Sequence, residues 1–136
     1  MDSELRRTLL FTNPWLANPA SGVAARRRFL PPQVLHRRAA ARLERSARDA
    51  SRAHLVVGPR QSGKSTLVWS VLGEKPDVLY LNCEEAVVRA WCKSPAAFIE
   101  EASAFLPEGG SLFLEEAQWL DEAGLFIKRV VDHRTS

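Results

Sequence analysis

No apolar run in this chain of 136 residues approaches the roughly 20 residues that a membrane-spanning helix requires, which excludes a transmembrane protein. Leu9-Leu10-Phe11, behind the acidic start Met1-Asp2-Ser3-Glu4, is too short for the core of a signal peptide. Cysteine is scarce. Cys83 and Cys92 cannot staple a secreted scaffold, so a reducing cytoplasm is the expected location. The pair has no clustered histidine beside it, which argues against zinc and for free thiols. His36, His54 and His133 are scattered, and His54 reads as a strand-end residue rather than a base.

What is present is ordinary for a soluble globular domain: 46% apolar and 26% charged side chains, at a length that supports one compact unit. The charge is unevenly spread. Residues 1–52 hold no lysine but eleven arginines against four acids, a balance of +7. The remainder holds eight basic groups against twelve acids, a balance of −4. An arginine-rich arm of this kind favours a polyanion such as nucleic acid. Aromatic rings that would stack on bases are few, however (Phe11, Trp15 and Phe29), and a solvated helix face explains the arm better.

Asn13-Pro14, Asn18-Pro19 and Ser21-Gly22 are turn signals, so residues 1–31 are expected to form an irregular lead-in. Pro31-Pro32 then opens a helix over about 32–50, with Leu35, Ala39, Leu43 and Ala47 on one face. His54-Leu55-Val56-Val57 predicts a buried strand that ends at Gly58-Pro59. A helix follows from Lys64 to Leu72, with Gly73 as its C-cap, and Val78 to Leu81 predicts a second strand. Short helices are expected over Glu85–Trp91 and Pro95–Phe105, a third strand over Ser111–Leu114, and a last helix around 121–132. Trp69, Trp91 and Trp119 read as core or interface residues. Alternation of strand and helix predicts an α/β domain around a parallel sheet.

The segment Gly58-Pro59-Arg60-Gln61-Ser62-Gly63-Lys64-Ser65 matches the phosphate-binding P-loop pattern. Gly58 and Gly63 let the backbone curl so that successive N–H groups point into one concavity, an anion nest. The helix that follows turns its positive dipole end toward the same phosphates. Lys64 would reach the β- and γ-phosphates, and the Ser65 hydroxyl would ligate Mg²⁺. Arg60 occupies an unrestricted position and reads as solvent-facing, and Thr66 extends the loop without a separate role. On the third strand, Ser111-Leu112-Phe113-Leu114-Glu115-Glu116 is an apolar run ending in two carboxylates, the shape of a Walker B segment. Ligands of parallel sheets gather at the carboxyl ends of strands. There Glu115 would hold the Mg²⁺ water shell, and Glu116 would orient and activate an attacking water.

The P-loop with its following Leu67, the Val-Leu-Tyr-Leu-Asn second strand and Leu-Phe-Leu-Glu-Glu-x-Gln together resemble the AAA+ ATPases over about residues 32–134. The likeness is nearest to a prokaryotic branch whose Walker B reads Leu-Asp-Glu-x-Gln and which often carries a C-terminal domain of unknown function. Asn13-Pro14-Trp15 also resembles lead-in segments of such ATPases. The resemblance implies a three-layer P-loop core over 32–136, with ATP and Mg²⁺ as ligands. It puts the family's roles on Gly58, Gly63, Lys64, Ser65, Glu115 and Glu116, with Gln118 completing the Walker B signature.

Two departures follow. Glu115 stands where the family has aspartate, one methylene longer, a change able to displace the Mg²⁺ water shell by about 1 Å. The chain also stops at Arg134-Thr135-Ser136, so the expected fold is incomplete, without the sensor strand, the fifth strand or the arginine finger. The sensor strand's place beside the P-loop strand would then stand vacant, and hydrolysis would belong to an intact protein rather than to this chain. The competing readings are a nucleotide-binding module without turnover, a fragment of a P-loop small-molecule kinase, and an arginine-rich nucleic-acid binder. A protein partner or self-association also fits the resemblance. No guanine-specifying Asn-Lys-x-Asp segment occurs, which leaves ATP as the default nucleotide.

Overall fold

The computed structural model describes residues 2–18, 45, 64–73, 75, 77–107 and 109–135. The strand expected at 54–57, the loop Gly58–Gly63 and all of the expected 32–50 helix except the helical Arg45 lie outside the described residues. So does the sheet position expected to be vacant beside that strand. The described elements are helix α1 (Ser3–Thr12), a 3-10 turn (Pro14–Leu16), α2 (Lys64–Leu72), β1 (Val78–Asn82), α3 (Ala86–Cys92) and α4 (Pro95–Ala102). β2 (Ser111–Glu115), a second 3-10 turn (Ala117–Trp119) and α5 (Ala123–Thr135) complete them.

Residues 3–12 depart from the expected irregular lead-in. The Asp2 carboxylate accepts the Glu4 N–H at 3.0 Å and caps α1, while Leu5 and Leu9, one turn apart, are both buried. The turn begins only at Asn13: Pro14 ends the helix by driving Asn13 out of the helical region, at φ −126°. The 3-10 turn that follows carries Trp15 back into the core, where it is 3% exposed.

β1 and β2 are parallel and in register from Val78 opposite Ser111 to Asn82 opposite Glu115. The Ser111 N–H donates to the Asp77 carbonyl and the Cys83 N–H to the Glu115 carbonyl, so the odd-numbered residues of β1 face β2. Val78 and Tyr80 therefore turn their backbone groups to the opposite edge. Asn13 meets them there. Its Oδ1 accepts the Tyr80 N–H at 2.6 Å, its Nδ2 donates to the Tyr80 carbonyl at 2.9 Å, and the Trp15 indole N–H donates to the Val78 carbonyl at 2.7 Å. A side-chain amide thus stands in for a neighbouring strand and closes an edge that would otherwise invite pairing. Leaving either buried Tyr80 backbone group unpaired would cost about 1–3 kcal/mol.

Val78, Leu79, Tyr80 and Leu81 are all buried, the continuous pattern of a strand covered on both faces. Leu79, Leu81 and Cys83 pack with Leu9 of α1, Val88 of α3, Phe98 of α4 and Phe126 of α5. Val78 and Tyr80 pack on the other face with Trp15 and with Trp69, Val71 and Leu72 of α2. The fold is α/β, with helices on both faces of a parallel sheet, as the strand–helix alternation predicts. Two strands form that sheet among the described residues.

Most element positions agree with the sequence to within a residue or two. The exceptions are two helix ends: α4 has Pro95 in its first turn as expected, with Ser94 as its N-cap, but stops at Ala102 instead of Phe105, and α5 runs on to Thr135 instead of ending near 132. Phe105 and Leu106 both donate to the Ala102 carbonyl, which tightens the chain into turns. Gly109 then adopts φ +85°, and a Cβ on Gly110 would meet Leu106 Cδ1 at 2.5 Å, so this double glycine is needed to enter β2. Trp119 does not enter the core. At 54% exposed it lies on the surface with the Arg89 guanidinium 5.7 Å from its ring centre.

Cys83 and Cys92 are free thiols, both buried. Burial pushes Cys83 from the ordinary 9.0 up to about 11 against a lowering by Arg89, and pushes Cys92 up to about 12. Neither thiol should react with a disulfide reagent at neutral pH until the chain unfolds. Above pH 9 the unfolded chain sheds thiol protons that the folded chain retains. Folding stability should therefore fall as pH rises from about 9 toward 12, the thiol contribution being complete below that range. Denaturation midpoints followed across that pH range check the slope; a flat or rising profile contradicts it.

Candidate functional site

α2 begins at Lys64, so the N–H groups of its first turn lack partners within the helix and carry its positive dipole end. Ser65 and Thr66 lie half-buried in that turn. Gly58, Pro59, Arg60, Gln61, Ser62 and Gly63 lie outside the described residues, as do Arg26, Arg27 and Arg28 of the basic arm. On the described part of that arm, Arg6 and Arg7 are exposed.

α2 is fastened to the sheet by Trp69, which is 2% exposed. Its ring centre lies 5.4 Å from Tyr80 of β1, 5.5 Å from Phe113 of β2 and 5.9 Å from Trp15. The helix that carries Ser65 is therefore packed on the same two strands that end in Asn82 and Glu115.

The apolar run of β2 closes at Glu115, half-buried at the carboxyl end of the sheet. Its Oε2 accepts a hydrogen bond from the Tyr80 hydroxyl at 2.6 Å. Desolvation by burial, with that bond and the carboxylate charge added, pushes the Tyr80 phenol well above its ordinary range, so it stays protonated. The next residue leaves the strand sharply. Glu116 takes the left-handed conformation, φ 58° and ψ 45°, which a non-glycine residue adopts at a cost of about 1–3 kcal/mol. The Gln118 side-chain amide donates to Glu116 Oε2 across the turn. Glu115, Glu116 and Gln118 are thus gathered at one strand end, each carboxylate with a protein donor on one oxygen.

No local sequence signal marks Tyr80 as a site residue. Its alternation with Val78 puts it on one face of β1, but its contact with Glu115 depends on the register between two strands.

The oxygen donors present are hard: a serine hydroxyl at a helix start and carboxylates at a strand end. They fit Mg²⁺, which takes one or two carboxylates and leaves its other positions to water and phosphate. Among the described residues no cluster of three or more His, Cys, Asp or Glu side chains is placed to hold a metal by itself. Among them, too, no helix is long and apolar enough to cross a membrane.

A family model for the AAA domain matches residues 50–136, more than half of the chain. The chain belongs to the AAA domain family. As an AAA domain it is of the nucleotide-binding ATPase type. The matched AAA segment spans both the P-loop pattern at 58–65 and the Glu115–Gln118 cluster. No significant match joins the chain to a curated protein or to a solved structure.

Proposed function

We propose that this AAA domain binds ATP with Mg²⁺ between the P-loop and the carboxyl end of β2, and that the site is built for hydrolysis of the β–γ phosphate bond. The observation that carries the reading is the Glu115–Glu116 pair at the end of a parallel strand, with Tyr80 and Gln118 each holding one carboxylate. The P-loop match upstream, within the same family segment, supplies the phosphate side.

From the motif, the backbone N–H groups of 58–63 would cradle the phosphates, and Lys64 would neutralise the β- and γ-oxygens as a point charge. Ser65 and Glu115 would hold Mg²⁺, which when bound would supply positive charge against the phosphate oxygens. Glu116 orients a water and takes its proton as the water oxygen bonds to the γ-phosphorus. The bond from that phosphorus to the bridging oxygen breaks, and ADP leaves with that electron pair. Glu116 is suited to this work because its turn projects it past the strand end while Glu115 stays on the sheet. The left-handed backbone at Glu116 supports the reading, since strain of this kind concentrates at functional sites. The domain is taken to extend over 32–136, in the branch whose Walker B ends Glu-x-Gln.

The test is a thermal or chemical unfolding series with and without Mg-ATP. Nucleotide at 100 times Kd should add about 2.7 kcal/mol of stability if the folded chain alone binds it. An unfolding curve unmoved by Mg-ATP overturns the proposal.

A further inference from the structure

We propose that Tyr80 is a positioning residue for this site: its hydroxyl fixes the Glu115 carboxylate so that the other carboxylate oxygen faces the divalent cation of the bound nucleotide. The inference rests on the nucleotide-binding reading of the site.

Three features of the fold carry it. Tyr80 is opposite Phe113 in the register, and Glu115 lies two residues further along β2, hence on the same face and within diagonal reach of a long side chain. The contact is made, from the Tyr80 hydroxyl to Glu115 Oε2 at 2.6 Å. Tyr80 itself has nowhere to drift. Asn13 grips its backbone N–H and carbonyl, and its ring lies 5.4 Å from those of both Trp69 and Phe113. A side chain fixed at backbone and ring makes its terminal hydroxyl a fixed point as well.

Glutamate needs such a point. It has one torsion more than aspartate, and that freedom must be removed before its carboxylate can hold an ion's water in place. With Oε2 bound to the phenol, Oε1 is the oxygen left for the cation or its water. Partners that orient a ligating carboxylate in this way are worth about 10–100-fold in metal affinity or activity.

The experiment measures ATP affinity of the full chain with Mg²⁺ and with EDTA, for the wild type, Tyr80→Phe, Glu115→Asp and the double variant. Tyr80→Phe keeps the ring and should leave affinity in EDTA unchanged. It should lower the Mg²⁺-dependent gain in affinity by about 10–100-fold. In the Glu115→Asp background the shorter side chain does not rely on the phenol, so adding Tyr80→Phe should change the gain by less than about twofold. An equal loss in both backgrounds, or no loss in either, assigns Tyr80 to packing and overturns the proposal. A wild-type chain that binds no ATP at all overturns the nucleotide reading itself, a separate and recognisable failure.

Should Tyr80→Phe not fold, a second measurement decides. Tyr80 is the single tyrosine of the chain, so biosynthetic 3-fluorotyrosine labels it alone. Its fluorine resonance should move when Mg-ATP is added and stay within linewidth for ATP in EDTA. A resonance that responds equally to both contradicts the proposal.

Discussion

Replacing Trp69 with alanine should remove about 3–5 kcal/mol of folding stability, a large share of the roughly 5–15 kcal/mol that such domains possess. The ring is 2% exposed and is shared by three aromatic neighbours on three different segments, Trp15, Tyr80 and Phe113. Two of those contacts are edge-on, at interplanar angles of 76° and 70°, a favoured geometry for aromatic pairs. Its removal leaves a cavity between α2 and the sheet that rigid neighbours fill poorly. The matching control is Trp119→Ala: that ring is 54% exposed, and its loss should stay within about 0.5 kcal/mol. Urea unfolding of both variants checks the contrast. Equal effects would mean that the aromatic cluster does not anchor α2.

In a protein that contains this domain and turns ATP over, Glu116→Gln should lower turnover by about 10²–10⁴-fold while sparing ATP binding. Glutamine keeps the size and a hydrogen-bonding oxygen but takes no proton from water. The Gln118 amide that donates to Glu116 still finds an acceptor, so the turn at φ 58° should persist. Single-turnover phosphate release, set beside ATP affinity for the same variant, separates the two effects. Turnover that survives the substitution removes Glu116 from the role of base. Loss of binding in parallel with turnover would make it a ligand-contact residue instead.

The elements that depend on local signals are legible in the sequence. Val78–Leu81 and Ser111–Leu114 are apolar runs bounded by polar residues or glycine, and each strand is found one residue longer than expected. α2 is found from Lys64 to Leu72 as expected, because the P-loop pattern sets its start and Gly73, whose N–H donates to the Trp69 carbonyl, its end. Glu115 and Glu116 are likewise legible as strand-end carboxylates, since hydropathy alone shows where β2 leaves the core.

What is not legible is whatever depends on a distant partner. Asn13 looks like a turn residue, yet it is fully buried because its side chain bonds to the backbone N–H and carbonyl of Tyr80, 67 positions away. Tyr80 looks like one more apolar strand residue until the register brings its hydroxyl to Glu115, 35 positions on. The helical nature of Ser3–Thr12 is hidden for a related reason. Only Leu5 and Leu9 of that helix are buried, and they become a core face once β1 and α3 supply the other side.

The measurement that bears most directly on the account is a calorimetric titration of ATP, in the presence of Mg²⁺, into the full chain and into Lys64→Ala. Saturable binding at one site is expected in the wild type. Affinity should be about 10–100-fold weaker in the variant, the worth of one charge-assisted hydrogen bond to phosphate. Absence of saturable binding in the wild type, or equal affinity in the two chains, would contradict a nucleotide site built on this loop.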